Sequence, residues 1–309
     1  MTKIKLPNTR YYGSKRRVVE KIWDVLCNEK IQFDSFLDVF GGTGIVSYYM
    51  LNKGKRVIYN DILKFNCINA KALLESPKNT LKEDEALALC KRRDDVFYRN
   101  VIEKNFEDIY YTDVENRLID TIVQNISFLS HDKQMCAFYL LFQSCMVKRP
   151  FNIFHRKNLY LRLNHKTSSF GNYVTWEREF SELFKKFLKE LNEFQFAEIP
   201  NITITNTSAL ECQETADLVY IDTPYFSSSS NISYHARYHF LEGLVNYSKI
   251  ENNIDQTKQN KEIKINATDE FGRKSTFICD LRKLINKFED KIIVMSYTSC
   301  GYPTIDELK

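Results

Sequence analysis

Phe36-Leu37-Asp38-Val39-Phe40-Gly41-Gly42-Thr43-Gly44 is an apolar run that ends in a glycine-rich turn. Glycine lets the backbone approach a ligand closely, and a helix starting at such a turn offers N–H groups that have no partner within the helix. The spacing is not the dinucleotide fingerprint, because Gly42-Thr43-Gly44-Ile45-Val46-Ser47 lacks the third glycine. Alone, the turn also fits a plain strand-ending turn. Outward from it, four more β-rich runs complete a series: Ser35–Phe40, Arg56–Asp61, Asn201–Asn206, Asp217–Asp222 and Lys291–Tyr297. Near-continuous apolar strands followed by helical stretches predict an α/β fold, a parallel sheet covered on both faces. Arg17–Cys27 and Ile45–Leu51 read as covering helices.

Between the second and third runs the pattern changes. Residues 64–199 read as mainly helical, with amphipathic stretches such as Met135–Val147 and Arg178–Phe194. A parallel crossover does not need that much chain. The expected division is therefore a core of 1–63 and 200–309 with an inserted domain at 64–199. Asn246–Thr276, rich in Asn, Lys, Gln, Ser and Thr, reads as a surface loop or mobile flap.

Composition narrows the class further. Apolar residues make up 43% of 309, enough for a packed core, and net charge is only +4. No two of the eight cysteines have zinc spacing, so free thiols in a reducing cytoplasm are expected. No run approaches the roughly 20 apolar residues of a membrane span, so no membrane partner is expected. His235 and His239 stand four apart but have no nearby Glu or Cys to complete a metal site, and no metal is expected.

Two further motifs carry chemistry. Asn60-Asp61 ends the second run, 23 residues after Asp38. An acidic side chain there can accept both ribose hydroxyls of a ligand, and Asp is equally a helix cap. Asp222-Thr223-Pro224-Tyr225 leaves the apolar run Leu218–Ile221. A carboxylate, a carbonyl in a proline-restricted turn and an aromatic ring suit recognition of a planar amine. A simple Asp/Pro turn is the plainer reading.

Together these motifs resemble the Dam-like adenine-N6 DNA methyltransferases. Arg10–Lys15 looks like the family's N-terminal cofactor motif, Phe36–Gly44 its glycine motif, Asn60-Asp61 its ribose motif and Asp222–Tyr225 its D-P-P-Y. Tyr238–Leu244 and the strand ending in Ser296-Tyr297 also match. The resemblance implies a Rossmann-like methyltransferase sheet with a target-recognition insertion. It implies S-adenosyl-L-methionine contacts at Tyr11, Lys15, Asp38, Gly41, Gly42, Gly44, Asp61 and Asp222. Catalysis is implied at Asp222, Thr223, Pro224 and Tyr225, acting on an adenine flipped from double-stranded DNA. A cognate restriction endonuclease is an expected partner. Thr223 stands in for the first proline, and Ser208 stands where the family often has an acidic contact to the cofactor's adenine. The family usually continues through two more strands beyond the fifth, so the expectation is a fragment of a longer enzyme or a covered sheet edge.

The insertion holds the clearest charge asymmetry. From Met146 to Trp176 stand Lys148, Arg149, Arg156, Lys157, Arg162 and Lys166, with no acidic residue and with Phe151, Phe154, Tyr160, Phe170 and Tyr173 interleaved. Such cations suit phosphates, and aromatics can wedge where a base leaves the stack. A solvated basic face is the plainer reading. The alternatives carried forward are cytosine-N4 methylation, an RNA substrate, and DNA binding without catalysis.

Overall fold

All five apolar runs form strands: β1 Ser35–Asp38, β2 Arg56–Asn60, β3 Ile202–Thr205, β4 Leu218–Ile221 and β5 Ile292–Met295. The computed structural model describes residues 4–164, 173–224, 226, 232–264, 270–298 and 301–308. The sheet is wholly parallel in the order β3-β2-β1-β4-β5. Leu37 of β1 lies beside Ile58 on one side and Val219 on the other. The chain winds outward from β1 in both directions, so β1 and β4 flank a topological switch point. Ligands bind outside the carboxyl ends of strands at such a point.

Strand alternation sorts the side chains between two faces. Leu37, Ile58, Val219 and Ile221 share a core with Phe277, Leu281, Leu284 and Phe288. Three of those four lie on the helix Phe277–Lys287 at helical spacing. The opposite face carries Phe36 and Tyr220, with ring centroids 5.8 Å apart. The helix Ile45–Asn52, buried along nearly its whole length, starts from the glycine turn.

The chain forms two compact units: residues 1–75, 198–235 and 266–309, and residues 76–197 and 236–265. The second unit is helical, built on Asp113–Ile126, His131–Val147, Phe180–Phe194 and most of Tyr234–Val245. Thr112 and Glu115 cap the first of these reciprocally: each backbone N–H donates to the other's side chain, at 3.0 and 3.3 Å.

The sequence had assigned 236–265 to the core, whereas the segment packs with the helical unit. Phe240 meets Phe106, Tyr110 and Phe154 at centroid distances of 5.2–5.3 Å. The Tyr110 hydroxyl lies 2.6 Å from the Phe154 carbonyl, 2.7 Å from that of Asn260 and 2.9 Å from His239 Nε2. His239 Nδ1 accepts the Ile263 N–H at 3.0 Å, so the neutral ring carries its proton on Nε2. Burial pushes this histidine's pKa down to about 3. The expected flap is likewise anchored over 246–264. Ile250, Ile254 and Ile263 are buried, and Ile254 bridges Ile263.

Candidate active site

The glycine turn is shaped by contacts no other residue would allow. Gly42 and Gly44 have φ of +50° and +69°. At Gly41 a Cβ would lie 2.0 Å from the Tyr59 ring. The Gly41 N–H donates to the Asn60 carbonyl at 2.8 Å, which ties the turn to the end of β2. Tyr59 donates its hydroxyl to the Gly42 carbonyl at 2.8 Å. The turn is thus a fixed cradle of backbone.

Asp61 closes that cradle. One carboxylate oxygen accepts the Gly42 N–H and the other the Leu63 N–H, both at 2.8 Å. The Asn66 side chain is a third donor, which leaves one of the carboxylate's four acceptor sites for another. Burial raises its pKa to about 6, against the lowering effect of the Leu63 and Gly42 N–H groups. Asp38, at the end of β1, accepts the Ser47 hydroxyl at 2.8 Å. Burial, with the Asp222 and Asp61 charges nearby, raises it to about 7.

Asp222 follows β4 directly, and its Oδ2 lies 2.6 Å from Lys15 Nζ. Lys15 also donates to the Gly13 carbonyl at 3.3 Å. Tyr11 accepts a hydrogen bond from Asn66 at 3.2 Å and packs on Tyr234, centroids 5.5 Å apart. Thr223 is buried, and among the described residues its hydroxyl has no hydrogen-bond partner.

These groups line one cleft of about 660 Å³. It brings together Tyr11, Lys15, Asp38, Gly41, Gly42, Asp61, Asp222, Thr223 and Pro224. A smaller cavity of about 430 Å³ shares Phe40, Ile62, Pro224 and Tyr234 with it and is mostly apolar, adding Val39, Ala209 and Phe271. Gly44 does not line the cleft; its left-handed conformation starts the helix. Tyr225 falls outside the described residues. Sequence reasoning had missed Tyr220 and Tyr234 as lining residues. Tyr220 was findable, since it stands two before Asp222 on a strand and so faces the same side; Tyr234 carried no comparable signal.

Residues 11–280 match the family described as D12 class N6 adenine-specific DNA methyltransferase. The chain belongs to this family. The methyltransferase is 27% identical to the Type II methyltransferase M2.HphI of Haemophilus parahaemolyticus, over all of this chain and 88% of that protein. It is 24% identical to the modification methylase StsI of Streptococcus sanguinis and to the modification methylase LlaI of Lactococcus lactis subsp. lactis. Each of those alignments covers 97% of this chain, which spans about half of either relative, 45% and 47%. The adenine-specific family description sets aside cytosine-N4 methylation, an RNA substrate and inert DNA binding. The methyl donor of a methyltransferase of this kind is S-adenosyl-L-methionine. Among the described residues no helix is long and apolar enough to cross a membrane, and no group of three His, Cys, Asp or Glu could hold a metal.

The basic stretch of the methyltransferase needs a correction. Lys148, Arg149 and Arg162 were expected to face DNA, and they are buried, with 2%, 1% and 7% of their surface exposed. Lys148 and Arg162 converge on Glu115, at 2.9 and 2.7 Å. Burial pushes the Glu115 carboxyl up, and Arg162 and Lys148 more than offset it, holding it below its ordinary range. Lys148 also donates to the Trp176 and Arg178 carbonyls. Arg149 donates to the carbonyls of Tyr110, Ile153 and Arg156 and lies over the Tyr110 ring at 4.3 Å. Arg156 and Lys157 are exposed, and Lys166 lies outside the described residues.

Proposed function

We propose that the cleft holds S-adenosyl-L-methionine and a flipped adenine side by side, and that the residues named above divide the work. The observation that carries this is the convergence of Asp38, Asp61 and Asp222 on one cleft at the strand ends, with Lys15 paired to Asp222. A glycine turn packed too tightly against Tyr59 for any Cβ suits close backbone approach to that group.

When bound, S-adenosyl-L-methionine supplies an electrophilic methyl group on a sulfonium. Asp61 accepts from the ribose hydroxyls, with the acceptor capacity that Gly42, Leu63 and Asn66 leave or give up to the ligand. The neighbouring apolar cavity, between Ile62 and Ala209, suits the purine. Tyr11, Lys15 and Asp38 hold the amino-acid end. Asp222 and the Thr223 carbonyl accept hydrogen bonds from the target amine and draw its lone pair out of ring conjugation toward the methyl carbon. Pro224 fixes that carbonyl, and Tyr225 stacks on the base. Orientation and electrostatics supply the rate without a covalent intermediate. Arg156, Lys157 and Lys166 contact phosphate in double-stranded DNA, and residues 76–197 with 236–265 read the target sequence. The names of the relatives support a role in a restriction-modification system beside a cognate endonuclease.

Sequencing modified bases in DNA from cells expressing the chain tests the reaction and yields the recognition site. Methylated adenine at one short motif is expected, and unmodified DNA would overturn the reading. Calorimetry tests the cofactor site. Asp61→Ala is expected to weaken S-adenosyl-L-methionine binding about 10- to 100-fold, the value of charge-assisted hydrogen bonds. An unchanged dissociation constant would return Asp61 to a helix-capping role.

The raised carboxylates also set a pH dependence. Asp38 and Asp61 hold protons to about 7 and 6, above the ordinary carboxylate range. A cationic ligand with hydroxyl donors binds the ionised forms, so affinity should rise most steeply through about pH 6 to 7 and flatten above about 8. The stability these groups give the ligand-free fold has the opposite sign. It is complete below the unfolded carboxylate pKa of about 4 and is lost as pH rises through 6 to 7. Calorimetry and thermal melting across this window check both, and flat profiles would contradict the assignment.

A further inference from the structure

The turn 11–15 carries an aromatic ring that the ligand-free cleft leaves in water. Tyr12 is 54% exposed and lines the cleft together with Asp222, Thr223 and Pro224. Among the described residues with exposed aromatic rings, it alone lines that cleft. Its neighbour Tyr11 is instead packed against Phe65 and accepts the Asn66 side chain.

The turn that presents Tyr12 is held from two sides. Gly13 has a φ of +80°, and a Cβ there would lie 2.7 Å from the Tyr234 hydroxyl. That hydroxyl donates to the Tyr12 carbonyl at 3.3 Å, and the two rings meet edge-on with centroids 6.3 Å apart. On the other side, Lys15 donates to the Gly13 carbonyl at 3.3 Å and lies 2.6 Å from Asp222 Oδ2. One ammonium thus ties the Tyr12 turn to the carboxylate assigned to the target amine. The cofactor's cradle of Gly41, Gly42 and Asp61 is braced separately, by Tyr59. Charge agrees with a nucleic-acid ligand. Six Lys or Arg precede Glu20 and no acidic residue does, so this segment does not repel a phosphate backbone.

We propose that Tyr12 is a substrate-binding residue whose ring packs on the flipped adenine and holds its exocyclic amine at Asp222. This rests on the adenine-methylation reading above. An edge contact leaves much of the ring open, and covering it with a base removes apolar surface from water on both partners. Stacking holds any base, since every base has a π-face. The choice of adenine therefore stays with the groups that meet its amine, and Tyr12 contributes residence in the cleft.

The test uses the full chain with S-adenosyl-L-homocysteine bound and a duplex carrying the recognition site found by sequencing. The target position holds either adenine or an abasic site. Tyr12→Ala should bind the adenine duplex about tenfold more weakly than wild type, the scale of one base–aromatic stack. It should bind the abasic duplex as wild type does, because no base is left for the ring to hold. Tyr12→Phe should match wild type on both duplexes. Calorimetry without DNA should give each protein the same affinity for S-adenosyl-L-homocysteine. Equal binding of the adenine duplex by wild type and Tyr12→Ala would overturn the proposal while leaving the methyltransferase intact. An equal loss on both duplexes would also overturn it, as would a loss by Tyr12→Phe as large as that by Tyr12→Ala. A matching loss of S-adenosyl-L-homocysteine affinity would overturn it in favour of a cofactor contact. Failure of wild type to methylate any DNA would remove the underlying reading and the proposal with it.

Discussion

Asp222→Ala is expected to lower methyl transfer by at least about 10²–10³-fold, the usual cost of removing one preorganised group that meets developing charge. The target nitrogen begins as a weak nucleophile because its lone pair is delocalised into the ring. Only an acceptor placed at the strand end can shift that density as the new bond forms. The effect should fall on turnover, since DNA binding depends on phosphate contacts made elsewhere. Asp222 also carries the ion pair to Lys15, so the variant should alter cofactor binding less than turnover. Single-turnover kinetics at saturating cofactor separates the two, and near-normal turnover would remove Asp222 from the mechanism.

Glu115→Ala is expected to destabilise the protein by about 3–5 kcal/mol, the scale for stripping the partner from buried charge. Glu115 is the acidic partner shared by Lys148 and Arg162, and it also closes the capping box of the helix Asp113–Ile126. Both cations are almost wholly buried, so neither can recover hydration when the carboxylate is lost. Urea denaturation measures the change. A loss under about 1 kcal/mol would be the signature of a surface pair and would put the basic stretch back in solvent.

The contrast between these two sites shows what a sequence discloses. The strands were legible because a parallel sheet buried on both faces demands unbroken apolar runs, such as Leu218–Ile221, and the edge strand Ile292–Met295 keeps the same apolar pattern although it is only partly covered. The cleft was legible because its groups sit at strand ends, one short turn away from those runs. Lys148, Arg149 and Arg162 were misread for the opposite reason. Their partners are Glu115, more than thirty residues upstream, and backbone carbonyls, which leave no mark in composition. Ile250, Ile254 and Ile263 were hidden in the same way, as isolated apolar residues in a polar run that nevertheless reach a core. The return of 236–265 to the helical unit was not foreseeable from Tyr238–Leu244, whose buried aromatics give no sign of which core they fill.

The central claim is that this cleft transfers methyl to the exocyclic amine of adenine in DNA. Its most direct test is nucleoside mass spectrometry of duplex DNA after incubation with the purified chain and isotopically labelled S-adenosyl-L-methionine. Label is expected in N6-methyl-2′-deoxyadenosine alone, abolished by Asp222→Ala. Label in N4-methyl-2′-deoxycytidine, or none in any nucleoside, would contradict it.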